Sequence, residues 1–119
     1  MVNTEASRRP KRVASLIKEA LGRIFLREFQ GSATGLITVT RVEMTADLQV
    51  AHVYLSFFGD VREDEVLALI EKRTGYLRKS IASEVKLKYN PTLIFSRDPA
   101  TEYERRIDSL MERLKDNEK

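Results

Sequence analysis

Apolar residues at Val13, Leu16, Ile17, Ala20, Leu21, Ile24, Phe25 and Phe29 recur at the three-and-four spacing of a helix packed along one side. Pro10 suits the first turn of that helix, where its missing N–H has no partner to lose, and residues 1–9 ahead of it are expected to be disordered. The segment "QGSATG" stops the helix with two glycines and two hydroxyl residues. Beyond it the apolar period shortens. "LITVTRVEM" (36–44) and "LQVAHVYLSFF" (48–58) are rich in β-branched and aromatic residues, and the short "TAD" between them predicts an antiparallel hairpin. In the second strand Ala51, Val53, Leu55 and Phe57 share one face, while His52, Tyr54 and Ser56 share the other. The first strand loses its alternation around Thr40 and Arg41, which fits either a bulge or an edge that tolerates polar residues.

The helical period returns after "DVRE". Asp60 is placed to accept the exposed N–H groups of a helix starting near Val61, and Glu63 three residues on completes a capping box. Val66, Leu67, Leu69 and Ile70 give that helix a core face, and the spacing resumes beyond Gly75 with Leu77, Ile81 and Val85. Pro91 and "TLIF" predict a third strand with Leu93 and Phe95 on one face. A last helix, capped by "TEYE", carries Ile107, Leu110, Met111 and Leu114. The order α, β, β, α, break, α, β, α, without an internal repeat, predicts an α+β sandwich with its helices on one face of the sheet. One domain is expected over residues 10–97, followed by a C-terminal helix over 98–116 and a short tail at 117–119.

Composition narrows what such a domain can do. At 119 residues and 42% hydrophobic composition, one core is expected to bury roughly 60–70% of the unfolded surface. The chain has no cysteine and one histidine, so thiolate chemistry is excluded and no ordinary zinc site is expected. No apolar run reaches the roughly 20 residues that span a bilayer, and "MVNTEASRRPKRV" lacks a signal-peptide core, so a cytoplasmic location is expected. The net charge is only +3, but it is unevenly placed. Residues 8–27 hold Arg8, Arg9, Lys11, Arg12, Lys18, Arg23 and Arg27 against Glu19, and residues 72–88 hold Lys72, Arg73, Arg78, Lys79, Lys86 and Lys88 against Glu84. These two segments carry +11, and the rest of the chain −8. If folding joins them, one surface becomes strongly positive and a polyanion is the matching partner. Taken singly, either run also reads as an ordinary solvated helix face.

Gly75 interrupts a helical pattern, at a cost of about 1 kcal/mol relative to alanine. Two explanations are open. The glycine could let the chain kink and send a second short helix across the sheet. It could also serve the N-terminus of that second helix, whose N–H groups and macrodipole attract phosphate oxygens, with Arg73, Arg78 and Lys79 beside it.

The helix, strand, strand, helix, break, helix, strand order resembles the bacterial type of KH domain, a single-stranded-RNA module. KH domains usually carry G-x-x-G between the two helices, whereas this chain has "RTGY". With that loop reduced to a kink, the chain resembles one family in particular, bacterial ribosome-binding factor A. "RRPKRVASLIKEALGRIFLREF" resembles its basic opening helix, and "VEMTADL" followed by "AHVY" its signature hairpin. "TGYLRKSIASEVKLKYNPTLIF" resembles its kinked helix pair and last strand, and "DPATEYERRIDSLMERL" its closing helix, so the likeness runs over residues 8–115. The family usually has Ala-x-Gly at the kink, and Arg73 stands here in the alanine position.

The resemblance implies a single KH-like domain of type II order with a C-terminal helix, acting without catalysis, metal or cofactor. It implies a cytoplasmic factor, expected to act as a monomer, that binds free small (30S) ribosomal subunits and their 16S rRNA. It further implies support of late 5′-end processing and of growth in the cold, with a functional link to assembly GTPases. The RNA-binding candidates are Arg73, Gly75, Arg78 and Lys79 at the kink, then Arg8, Arg9, Lys11, Arg12, Lys86 and Lys88. Gly75 would shape the backbone and the cations would neutralise phosphates. Replacing Arg78 and Lys79 together by glutamate is expected to leave the fold intact. Tyr76 and Tyr89 are placed either to stack on bases or to pack on the protein.

Rival readings have less behind them. Glu63, Asp64 and Glu65 cluster in a helix first turn, where the dipole accounts for them. His52 lies on the polar face of a strand without a nucleophile in sequence to serve, and phosphate-loop and dinucleotide glycine motifs are absent. A generic KH-like module or RNA chaperone would bind unrelated single strands as well as ribosomal RNA. A docking site for an acidic protein would survive nuclease treatment of the partner.

Overall fold

The computed structural model describes residues 4–29, 35–59, 61–87 and 90–117. The elements in order are α1 (Thr4–Glu28), β1 (Leu36–Met44), β2 (Val50–Phe58), α2 (Glu63–Lys72), α3 (Thr74–Glu84), β3 (Thr92–Arg97) and α4 (Pro99–Asn117). This is the expected order.

The sheet runs β1-β2-β3, with β1 antiparallel and β3 parallel to the central strand. Alternation puts Ile37, Val39, Ala51, Val53, Leu55, Phe57, Leu93 and Phe95 on its inner face. Against them pack Ile17, Leu21, Ile24 and Phe25 of α1, Val66 and Ile70 of α2, and Leu77 and Ile81 of α3. Phe25 stands edge-on to Phe29 at 5.4 Å and to Phe95 at 6.4 Å, so aromatic rings tie α1 to β3. Gly35 enters β1 with φ +63, and a Cβ there would lie 2.5 Å from the Phe58 carbonyl oxygen, so only glycine fits.

The irregularity of β1 is a bulge. Val39 pairs with Leu55 and Arg41 with Tyr54, which leaves Thr40 as the extra residue. Beyond it the faces exchange parity, so Val42 and Met44 pack on the core while Arg41 and Glu43 are exposed. The second strand starts at Val50, two residues later than the pattern predicts, because Leu48 belongs to the turn with φ 62.

Helix ends differ most from expectation. α1 begins at Thr4, so residues 4–9, expected to be disordered, are helical, and Pro10 lies inside the helix. The proline ring removes one bond near the free end, and Arg8 and Arg9 just before it are solvent-exposed, so the turn can accommodate the ring without disturbing packing. α2 begins at Glu63 behind Arg62, which makes no side-chain cap; Asp60, the expected cap, lies outside the described residues. α4 is capped by Asp98, whose Oδ1 accepts the Ala100 N–H at 2.9 Å, with Pro99 as first residue, so Thr101 is already helical. Its apolar residues do not extend the core. Tyr103, Ile107, Leu110, Met111 and Leu114 are 41–65% exposed, and Arg105 holds the helix to α2 through Glu63 at 2.7 Å.

Candidate nucleic-acid interface

Packing turns the inner stripe of α1 onto the sheet and leaves its basic residues outward. Arg8, Arg9, Lys11 and Arg12 are all exposed. α3 packs beside α1, and contacts along the pair fix their relation. Glu84 near the end of α3 accepts from Arg23 at 3.2 Å and Arg27 at 3.3 Å. At the other end Tyr76 donates its hydroxyl proton to Glu28, and the Arg73 guanidinium lies over the Phe29 ring at 5.0 Å and the Tyr76 ring at 4.9 Å. The two basic segments therefore form one continuous flank.

Internal partners divide its cations. Arg23 and Arg27 are held by Glu84, and Arg73 by two rings. Elsewhere Arg41 pairs with Glu43, Arg62 with Glu65, and Arg97 with Glu63 and Asp64. Arg78 points inward, its Nε donating to the Pro91 carbonyl and its Nη2 to the Asn90 carbonyl, both at 3.0 Å, while Asn90 returns a bond to the Arg78 carbonyl at 3.3 Å. Arg78 thus secures the chain ahead of β3, and the expectation that it can become glutamate with the fold intact is corrected. A carboxylate would face two carbonyl oxygens there. Among the described residues, Arg8, Arg9, Lys11, Arg12, Lys18, Lys72, Lys79 and Lys86 of the two basic segments have no acidic or carbonyl partner, and neither do Arg106, Arg113 and Lys115 of α4.

The candidate residues stand in separate groups. Arg9, Arg12 and Lys86 line one groove, floored by Val13, Leu16, Leu48 and Leu87. Arg73 and Gly75 stand at the opposite end of α3, separated from Lys86 by a helix of 11 residues, about 16 Å long, and Lys79 lies midway along it. Lys11 lies toward β1, beside Val42, Glu43 and Met44. Lys88 and Tyr89 lie outside the described residues.

The break between α2 and α3 is made by Arg73. Its φ −99 and ψ 14 lie in the bridge region, its N–H reaches the Leu69 and Ile70 carbonyls, and its own carbonyl accepts from Leu77. Gly75 is an ordinary helical residue of the following turn, and a Cβ on it would meet nothing within 4 Å. The kink therefore does not need the glycine. No side chain caps the start of α3; Thr74 Oγ1 instead donates back to the Glu71 carbonyl at 2.7 Å.

A second polar cluster escaped the sequence pattern. Buried Asp98 accepts from the bulged Thr40 Oγ1 at 2.5 Å, and its N–H donates to the Leu55 carbonyl at 2.9 Å. The Thr40 bond, the Ala100 N–H and nearby Arg41 hold its pKa below the ordinary 3.8 against the opposing effect of burial. On the open sheet face His52 stacks on Tyr54 at 4.3 Å and bonds Ser96, while Arg41 covers the Tyr54 ring at 4.0 Å. The signal for Asp98 was its place before Pro99, a helix-start pair that "TEYE" overshadows.

Known proteins agree with this architecture. The family described as ribosome-binding factor A matches residues 9–111. A ribosome-binding factor A from Halothermothrix orenii is 39% identical over 92% of this chain and 91% of its own length. One from Bdellovibrio bacteriovorus is 36% identical over 96% and 86%. The crystal structure of ribosome-binding factor A from Thermus thermophilus superposes with TM-score 0.65 over 74% of this chain and 94% of that one, at 23% identity. Coordinates of the Thermus thermophilus factor fitted into a cryo-EM map of a 30S complex superpose with TM-score 0.63 over 72% and 91%, at 24% identity. With a KH-like fold and relatives matched along nearly their whole length, this chain belongs to the ribosome-binding factor A family.

Proposed function

We propose that this protein is a non-catalytic assembly factor that binds the free small ribosomal subunit and contacts 16S rRNA with the α1–α3 flank. The observation that carries this reading is the division of cations. Several arginines have carboxylates, rings or carbonyls, whereas the exposed cations of the two basic segments that have none, Arg8, Arg9, Lys11, Arg12, Lys79 and Lys86 among them, stand on α1 and at α3. Releasing counterions from phosphate supplies the affinity, which makes binding salt-dependent.

Arg8, Arg9, Lys11, Arg12, Lys79, Lys86 and Lys88 neutralise phosphates, and Arg73 adds charge from its place over the rings. Arg78 acts by holding the loop before β3. Gly75 has open space in place of a side chain, which lets a phosphate backbone approach the start of α3. The domain, with α1 as its first element, binds as a monomer in the cytoplasm, supporting late 5′-end processing and growth in the cold, in step with an assembly GTPase. The 30S complex of the Thermus thermophilus factor supports the choice of partner.

Sucrose-gradient co-sedimentation with free small subunits and with complete ribosomes, across salt concentrations, tests this reading. Selective binding to free subunits that weakens with salt is the expected result. Equal binding to every RNA-containing species would make the protein a generic RNA module, and absence of binding at low salt would remove the ribosome from the account.

A further inference from the structure

The groove formed by Arg9, Arg12 and Lys86 has a shape that phosphate neutralisation alone does not require. A flat array of cations suffices to follow a duplex backbone. Here the three cations stand on the rim of a concave site of about 200 Å³, and its floor is aliphatic: Val13, Leu16, Leu48 and Leu87. A concavity of that size admits a planar ring system.

The hairpin tip is built to complete this floor. Leu48 holds φ 62, a conformation that glycine or asparagine adopts far more easily than leucine. The turn around it is fixed from several sides. Asp47 accepts from Thr45 Oγ1 at 2.6 Å and from the Gln49 N–H at 3.1 Å, the Leu48 N–H bonds the Thr45 carbonyl, and the Gln49 carbonyl accepts from Thr92 at 2.8 Å. An unfavourable backbone conformation thus adds an apolar side chain to the lining of a cationic groove.

We infer that this groove seats one unpaired nucleotide, its base on the aliphatic floor and its phosphate between Arg9, Arg12 and Lys86. The inference rests on the RNA-binding reading above and goes further, since it assigns the groove to a base extruded from pairing. Guanidinium planes supply a stacking surface for such a base, and the floor takes an apolar face that a paired base keeps inside its stack. The site lies at the end of α3 away from the Arg73 break, so it is a separate point of attachment.

The test uses two RNA hairpins of equal length, one fully paired and one with a single bulged 2-aminopurine, titrated by fluorescence anisotropy. Binding about tenfold tighter to the bulged hairpin, with a change in 2-aminopurine emission, is expected. Leu16→Trp and, separately, Leu87→Trp add bulk to the floor without changing charge, and each should bring the bulged hairpin to the affinity of the paired one. Circular dichroism verifies that each variant folds. Equal affinity of the wild type for both hairpins, or discrimination that survives both substitutions, overturns the inference while leaving the RNA reading intact. Failure to bind either hairpin, together with unchanged subunit binding by Lys79→Glu, overturns both. If the tryptophan variants lose subunit binding although the wild type does not distinguish the hairpins, the groove belongs to a ribosomal protein, and the nucleotide assignment is wrong.

Discussion

Replacing Gly75 by alanine separates what the glycine does for the fold from what it does for a partner. The residue is helical, its φ is not positive, and an added Cβ has nothing within 4 Å, so the substitution meets no steric penalty. Alanine also restricts the unfolded chain and favours helix. In a compatible position these effects together stabilise by about 0.4–1 kcal/mol. Gly75 is in the first turn of α3, so a value near the lower end, about 0.5 kcal/mol, is expected. For a domain of 119 residues that corresponds to a rise in Tm of about 2–3 °C, measurable by calorimetry or by chemical denaturation with an unchanged m value. Gly22, in α1, likewise has nothing within 4 Å of where a Cβ would stand and serves as a comparison. Subunit binding should move the other way for Gly75→Ala, with affinity falling severalfold while Gly22→Ala leaves it unchanged. Destabilisation by more than about 1 kcal/mol would show that the break depends on glycine and refute the assignment of the kink to Arg73. A stabilised variant with wild-type subunit affinity would leave the close-approach role without support.

Other substitutions test the arrangement elsewhere. Arg78→Ala should lower stability by about 1–2 kcal/mol in urea denaturation by leaving the Pro91 and Asn90 carbonyls unpaired, whereas Lys79→Glu should leave stability within about 0.5 kcal/mol and flatten the salt dependence of subunit binding by roughly one unit or more in log–log slope. Asp98→Ala removes a helix cap and the anchor of the bulge together, and a loss of about 2–3 kcal/mol is expected in the same assay. Because the folded pKa of Asp98 lies below 3.8, its ionised form stabilises the fold above that pH, and the contribution disappears as pH falls through the folded value; the wild type should therefore lose stability below about pH 4 more steeply than Asp98→Ala. Glu84→Gln should cost little stability, since exposed ion pairs contribute about 0–1 kcal/mol, yet it frees Arg23 and Arg27 and should tighten subunit binding at low salt.

The elements were legible wherever burial imposes a period. The stripe from Ile17 to Phe29 and the alternation from Ala51 to Phe57 mark side chains that the structure buries, while Leu16, in the same stripe, stays exposed, and β1 keeps its predicted bounds. Ends were less legible because several nearby residues can cap a helix and tertiary contacts choose among them. Asp98 prevails over Thr101 because the bulged Thr40 and the Leu55 carbonyl hold it in place. The same limit applies to the basic residues. Sequence shows that Arg78 and Lys79 adjoin, but only packing reveals that one supports a loop and the other faces outward. The exposure of Leu110 and Leu114 was also hidden, since an amphipathic stripe states a need for cover without saying what covers it.

The parallel pairing of β2 with β3 also governs how this molecule can be taken apart. Both helices α2 and α3 intervene between the two strands, so the central strand has only one hydrogen-bonded neighbour until residue 97 is available. Shortening the chain before that point would not yield a smaller working unit; it would expose a valine- and phenylalanine-rich edge inclined to pair with other chains. During synthesis the same edge waits for β3 to leave the exit tunnel. Contact mapping on this protein therefore calls for point substitutions on the intact chain, with deletions confined to α4 beyond the Asp98 anchor.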